Sequence, residues 1–348
     1  MFVYICKRLA LLVPTLFLIL VLNFLLIQLS PGGPIERTIA KLENLDKPTE
    51  SSIAQKSFYK GSIGLDSELI AKIEQLYGFD KPLGDRFFSM VKNYLCFEFG
   101  ESFYRQESVV NIIFEKLPVS VSLGVFSTLI IYLVSIPLGI YKAKKYGSTF
   151  DIATSFLIVL VYAIPAFVFA ILFIVLFAGG SYLDIFPLRG LVSENFAQMD
   201  FLEKSKDYLW HLCLPVTCLS LGGFATLSML SKNCFLEEIN KTYVQTARAK
   251  GASEDRILYK HIFRNAMLLI VSGFPMVFVG MFFSGSLLIE IIFSLDGLGL
   301  LGYESVLNRD YPIIFATLYI FTFLGLVVGI ISDVFYVLID PRIDFEKQ

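Results

Sequence analysis

Residues Thr242–Met267 read TYVQTARAKGASEDRILYKHIFRNAM, the one long polar segment between two apolar runs in the C-terminal half of the chain. It carries Arg248, Lys250, Arg256, Lys260 and Arg264 against Glu254 and Asp255, a net charge of +3. The pattern predicts two short helices broken at Gly251. The first ends in small residues, Ala247, Ala249, Gly251 and Ala252, which allow another backbone or a partner surface to approach closely. The second has Ser253 as N-cap, with Glu254 and Asp255 in the first turn, where the helix dipole favours anions. Ile257, His261 and Asn265 follow at helical spacing, with Leu258 and Ile262 beside them. Arg256, Lys260 and Arg264 form a second stripe at the same spacing. The segment therefore reads as a basic, amphipathic element held at a membrane surface.

The membrane is indicated by the rest of the chain. Of 348 residues, 55% are hydrophobic, and the mean hydropathy is +0.68. Soluble domains hold roughly 45–50% apolar residues. Six apolar runs are long enough to cross a bilayer: 9–29, 117–140, 152–178, 209–230, 268–292 and 312–339. Lys7 and Arg8 precede the first run, as in a signal peptide, but the run is of span length and lacks a small-residue cleavage site, so it reads as a retained anchor. Lys142, Lys144 and Lys145 follow the second run, and Lys232, Lys241 and the five bases of the quoted segment follow the fourth. The alternate short loops are poorer in bases. This bias places both termini on the cytoplasmic side.

Between the first two runs lies a segment of about 85 residues, too long for a simple connector. Its middle, 41–64, is polar. LDSELIAKIEQLYGFDKP (65–82) reads as a helix ending at Gly78. A second helix is expected from Gly84 to Phe97. VVNIIFEKLP (109–118) is a third, leading into the second span. Pro137, Pro165, Pro215 and Pro275 each lie in a different span, where proline removes a helix hydrogen bond and kinks the axis. Such kinks suit helices that surround a path, and suit ordinary bundle packing equally.

QTARAKGA resembles the coupling loop of ATP-binding-cassette (ABC) importer permeases of the dipeptide/oligopeptide group. That loop opens Glu-Ala-Ala, which falls on Gln245, Thr246 and Ala247, and its glycine falls on Gly251. Gln245 replaces the acid and Thr246 the first alanine, whereas Arg264-Asn265-Ala266 matches the loop's ending. LYGFDKPLGDRFF, FGES and DPRI (340–343) carry further resemblance. PGGPIERTIAKL, YLWHLCLPV and the loop AGGSYLDIFPLRGLVSENF are closest to a subgroup that imports oligopeptides and peptide-nucleotide antibiotics of the microcin C kind.

The resemblance implies an all-α type I ABC importer permease of six transmembrane helices in the bacterial inner membrane. Its organisation would be an N-terminal helix (1–29), an external helical insertion between helices 1 and 2 (30–116), and a five-helix core (117–348) with a coupling loop at 232–267. It also implies partners: a second homologous permease, cytoplasmic ATPase subunits that carry the ATP and Mg, an external peptide-binding protein, membrane lipid and a peptide substrate. Gln245, Ala247, Arg248, Gly251, Ala252 and Arg256 would meet the ATPase. Ser127, Tyr132, Tyr162 and Glu290 are candidates for the translocation path by position alone. Glu290 is ionisable close to membrane depth, a functional hypothesis by default, although a packing or gate-region hydrogen bond is the stronger expectation.

Several chemistries lack their residues. There is no GxxxxGK[ST] to hold ATP, no HExxH and no GxSxG, so a non-enzymatic subunit is expected. Gly297–Gly302, GLGLLG, fits GxGxxG but lacks the strand–turn–helix context of a nucleotide site. Cys6, Cys96, Cys213, Cys218 and Cys234 are scattered, which indicates neither a disulfide framework nor a metal site. A net charge of −2 gives no sign of nucleic acid. Two rivals stay open. An ion-coupled secondary transporter needs buried charges mid-membrane, and spans 1 to 4 offer almost none. A membrane scaffold would use the basic loop to bind anionic lipid.

Overall fold

The computed structural model describes residues 2–29, 82–178, 182–283 and 287–339. The helix expected at 65–82, the polar stretch 41–64 and DPRI lie outside them, and with them most of the expected external insertion.

The described residues are mostly helical: α1 (Phe2–Leu29), α2 (Leu83–Leu95), α3 (Val109–Lys144), α4 (Thr149–Ala163), α5 (Ala166–Phe177), α6 (Phe201–Ile239), α7 (Thr242–Ala249), α8 (Glu254–Arg256), α9 (Phe263–Phe283), α10 (Leu287–Ile292), α11 (Leu298–Leu307) and α12 (Tyr311–Ile339). Four of these, α1, α3, α6 and α12, contain a stretch long and apolar enough to cross a membrane, or five if α4 and α5 count as one span. The expected span 268–292 corresponds to α9 and α10.

Two expected spans and one expected external helix take a different form. The run 152–178 is bent by 94° between α4 and α5. Pro165 has no N–H to donate, and its ring disfavours a helical conformation at the residue before it. Ile164 accordingly adopts φ −95°, ψ 124°. The result is a corner rather than the kink expected. The run 209–230 is the middle of α6, a continuous helix of 39 residues opened by an Asp200–Glu203 capping box. At 1.5 Å per residue it is about 58 Å long, roughly twice the hydrocarbon thickness, so its ends project beyond the apolar layer. The expected third external helix is the first part of α3, which runs 36 residues without a break.

The chain divides into two compact units. The smaller contains 10–112 and 305–320. In it Phe87 of α2 packs edge-on against Phe17 and Phe24 of α1, with ring centroids 5.8 and 5.3 Å apart. Tyr94, Phe99 and Tyr319 form an aromatic cluster. Buried Asp310 accepts hydrogen bonds from the Ser102 hydroxyl and the amides of Phe103 and Tyr104, which fixes the loop between α2 and α3.

The larger unit contains 113–304 and 321–348, with a short N-terminal piece. In it α6 packs against α4, α5 and α9. One apolar cluster joins Val119 and Leu123 of α3, Ala170 of α5, Leu212 to Cys218 of α6, and Ile289 to Leu295 in and after α10. A second joins the far ends of α3 and α6 to the basic segment, and this second cluster positions the candidate site.

Candidate functional site

Each turn of the basic segment follows from local chemistry. Helix α7 ends in a Schellman motif: the Gly251 amide donates to the Arg248 carbonyl at 3.0 Å, and the Ala252 amide to the Ala247 carbonyl at 3.2 Å. The motif needs a left-handed residue, and Gly251 supplies it with φ +79°. Two residues later Ser253 starts the next helix, its hydroxyl accepting from the Arg256 amide. The break at Gly251 and the Ser253 cap are thus as expected.

Beyond Arg256 the geometry departs from regular spacing. Ile257–Ile262 form a π-helical turn. The buried residues are consequently Ile257, Leu258, Ile262, Ala266 and Ile270. The first and third are five apart, not four, and that extra residue keeps both in the core. His261 and Asn265, expected on the same stripe as Ile257, are half-buried and exposed respectively.

The element is seated by apolar contact and held by polar ties. Val244 and Ile257 are fully buried beside Phe235, Leu227 and Ala143. Tyr243 donates to Glu238 at 2.5 Å and accepts from the Asn265 amide at 3.3 Å. Burial and the bond to Glu238 push its phenol up to about 12. Lys144, at the end of α3, reaches Asp255 at 3.3 Å. Arg248 grips Glu254 in a fork, with Nε to Oε1 at 2.6 Å and Nη2 to Oε2 at 3.0 Å. That bond closes across Gly251, from the end of α7 to the start of α8. It raises the Arg248 guanidinium and lowers the Glu254 carboxyl from their ordinary values.

The outward face is now defined. Gln245, Arg248, Gly251 and Arg256 are exposed, as are Lys250, Tyr259, Lys260 and Arg264. Ala247 and Ala252 are partly buried against the segment's own apolar cluster, so they turn toward the core. A Cβ added at Gly251 would meet no atom within 4 Å.

The four translocation-path candidates meet four different sets of neighbours. Ser127 is buried in α3 and donates to the Gly124 carbonyl, while its own carbonyl accepts from Ser220. Tyr132 meets Phe274 edge-on. Tyr162 is exposed on α4. Glu290 is 1% exposed, and its carboxylate accepts from the Leu300 amide at 2.7 Å. A Cβ at Gly297 would lie 2.6 Å from its Cδ, and one at Gly299 3.1 Å from its oxygens. GLGLLG therefore cradles the chain's own Glu290 carboxyl group at the start of α11. The same loop is tied to α3, where Ser120 accepts from the Leu298 amide at 2.8 Å and Lys116 pairs with Asp296 at 2.6 Å.

A second charged group was not foreseen. Asp151 and Lys142 are buried and Lys232 nearly so, and the three meet where α3, α4 and α6 come together. Lys232 donates to both carboxylate oxygens of Asp151, at 2.7 and 2.8 Å. Lys142 donates to Ser155 at 2.8 Å and Thr154 at 3.1 Å, and lies 3.8 Å from Asp151. The available signal was a lone acid two residues into a helix that follows three lysines.

The family of binding-protein-dependent transport system inner membrane components matches residues 135–345, which include the 242–267 element and the cluster of Lys142, Asp151 and Lys232. The chain belongs to that family. It is 55% identical to the inner membrane ABC transporter permease protein YejB of Escherichia coli O157:H7, over 99% of both chains. It is 54% identical, over the same shares, to the peptidoglycan transport system permease protein YejB of Agrobacterium fabrum. The oligopeptide transport system permease protein AppB of Bacillus subtilis is 31% identical over 98% of this chain and 99% of its own. The chain is thus a multi-pass inner-membrane ABC permease of the YejB type, and Gly251 and Arg248 lie within the matched region.

Proposed function

We propose that this chain forms one half of the transmembrane path of an ATP-driven importer of oligopeptides. A second permease would complete the path. ATPase subunits on other chains would supply the energy, and an external binding protein would deliver the peptide. The observation that carries the reading is the 242–267 element: a basic, exposed face around a left-handed glycine, seated on the ends of α3 and α6. Such a face suits a groove on a cytoplasmic ATPase. ATP binding would close the ATPase pair, move this element, and rotate the spans so that the path opens outward. We count six spans, with α4 and α5 as the third and α9 and α10 as the fifth, and place both termini in the cytoplasm.

For the cargo, relatives named for oligopeptide and for peptidoglycan transport share a peptide portion. We infer that a peptide backbone is what the path accepts, microcin C-like antibiotics included. The test uses the assembled transporter with its binding protein in vesicles, supplied with labelled oligoalanine. ATP-dependent uptake is expected, with competition by muropeptides and by microcin C. In intact cells, a cysteine at Ser253 in a cysteine-free chain should label only from inside, and one at Asn195 from outside. Uptake that needs an ion gradient and no ATPase, or labelling of Ser253 from outside, would overturn the reading.

A further inference from the structure

The end of α3 faces two ways within three residues. Lys142 points into the buried charge cluster with Asp151 and Lys232. Ala143 packs in the apolar cluster beneath the coupling element. Lys144 reaches Asp255 on the element itself at 3.3 Å. One turn earlier α3 and α6 come so close that a Cβ at Gly139 would lie 2.9 Å from the Ser228 carbonyl oxygen. The chain between α3 and α4 is equally restrained. The Gly147 amide donates to Asp151, Ser148 caps α4, and Lys232 lies 5.1 Å from the centroid of the Tyr146 ring.

Such a cluster is an unusual way to hold helices together. Removing charges from water is costly, and an apolar trio of the same volume would hold the helices at least as well. What the ionic version adds is direction: five hydrogen bonds or ion contacts from Lys142 and Lys232 to Asp151, Thr154 and Ser155 define one relative placement of the three helices. We propose that Asp151, with Lys142 and Lys232, is a positioning cluster that locks the end of α3, the start of α4 and α6 into one body behind the coupling element. Movement of that element is then passed to the spans without slippage. The proposal rests on the transport reading above and goes beyond it by naming where the stroke is transmitted.

The test separates transmission from folding. The triple variant Lys142→Met/Asp151→Leu/Lys232→Met fills the same space without charge. It is made in the complete transporter with its ATPase and binding protein, and labelled oligoalanine is the probe. Expected are wild-type abundance, retention of the ATPase and continued ATP hydrolysis, with uptake per ATP hydrolysed reduced about tenfold. Wild-type uptake per ATP would overturn the proposal. Should the triple variant fail to accumulate, the swapped pair Asp151→Lys/Lys232→Asp decides. It re-forms the bond between α4 and α6 and should recover most of the uptake that Asp151→Lys alone loses. Full uptake by Asp151→Lys alone, or no recovery in an abundant swapped pair, would overturn it as well. If the wild-type complex itself shows no ATP-driven uptake, the transport reading fails, a result distinct from any of these.

Discussion

Replacing Gly251 separates two demands that fall on one residue. At φ +79° any side chain meets the left-handed penalty, about 1–2 kcal/mol. Loss of glycine's freedom in the unfolded chain returns about 0.4–1 kcal/mol of that. The net cost to the isolated permease is then about 1 kcal/mol, small beside the packing of Val244, Ile257, Leu258 and Ile262 beneath the turn. No atom lies within 4 Å of the added Cβ, so size adds nothing to this internal cost. Size matters only if a partner fills the space. An overpacked contact costs about 1–3 kcal/mol, which corresponds to roughly 5- to 150-fold weaker association. Gly251→Ala should therefore keep normal abundance and most of its transport. Gly251→Arg should keep abundance too, yet lose transport and release the ATPase on mild detergent extraction. Quantitative blotting, peptide uptake and co-purification measure the three quantities. Wild-type uptake by Gly251→Arg at equal abundance would refute docking at this turn. Equal loss in the alanine and arginine variants would assign the defect to the turn itself.

Two further outcomes follow from the polar contacts. Gly297→Ala drives a Cβ to within 2.6 Å of the Glu290 carboxyl carbon; an overpacked contact of this kind costs about 1–3 kcal/mol, so the purified complex should melt at lower temperature, and unchanged melting would refute the cradle. Arg248→Glu should weaken uptake and Arg248→Glu/Glu254→Arg restore it, because the fork across Gly251 is re-formed in reverse; the Glu254 carboxyl is lowered in the folded chain, so this tie is intact above the ordinary carboxylate range and lost as pH falls through the lowered value, and a swap that stays as impaired as the single variant would show that Arg248 acts on a partner instead.

The parts legible in the sequence are those set by near neighbours. Gly251, Ser253 and the two acids after it specify a helix stop and a helix start within five residues. The structure adds the fork from Arg248 to Glu254 and the bond from Lys144 to Asp255, which spacing alone could not distinguish from solvated charges. The apolar runs located α1, α3, α6 and α12, but hydropathy is blind to direction. It could not show that Pro165 turns the chain by 94° instead of bending it. Nor could it show that α6 continues well past the apolar layer at both ends, because its polar first and last turns look like loop. The π-helical turn at Ile257–Ile262 is illegible for a related reason: from Leu258 a four-residue spacing reaches Ile262 and a five-residue spacing Phe263, both apolar.

The charged groups escaped for a different reason, and it bears on how the protein works. Lys232 and Asp151 are 81 residues apart, and Ser102 and Asp310 are 208 apart. Along the chain Lys142 and Lys232 look like ordinary inside-positive lysines, which the topology rule explains completely. Only the fold reveals that these two are spent on Asp151, while Lys144 is turned toward Asp255. The lysines on which our proposed orientation rests therefore also supply the material for internal connections. A lysine at the end of a span costs little extra once topology requires a base there, and a single acid at Asp151 converts two such lysines into a joint between three helices. The surface we propose for a partner is local and readable as a motif. The joint behind it is assembled from distant residues, so its contribution has to be sought by variants that leave the motif untouched.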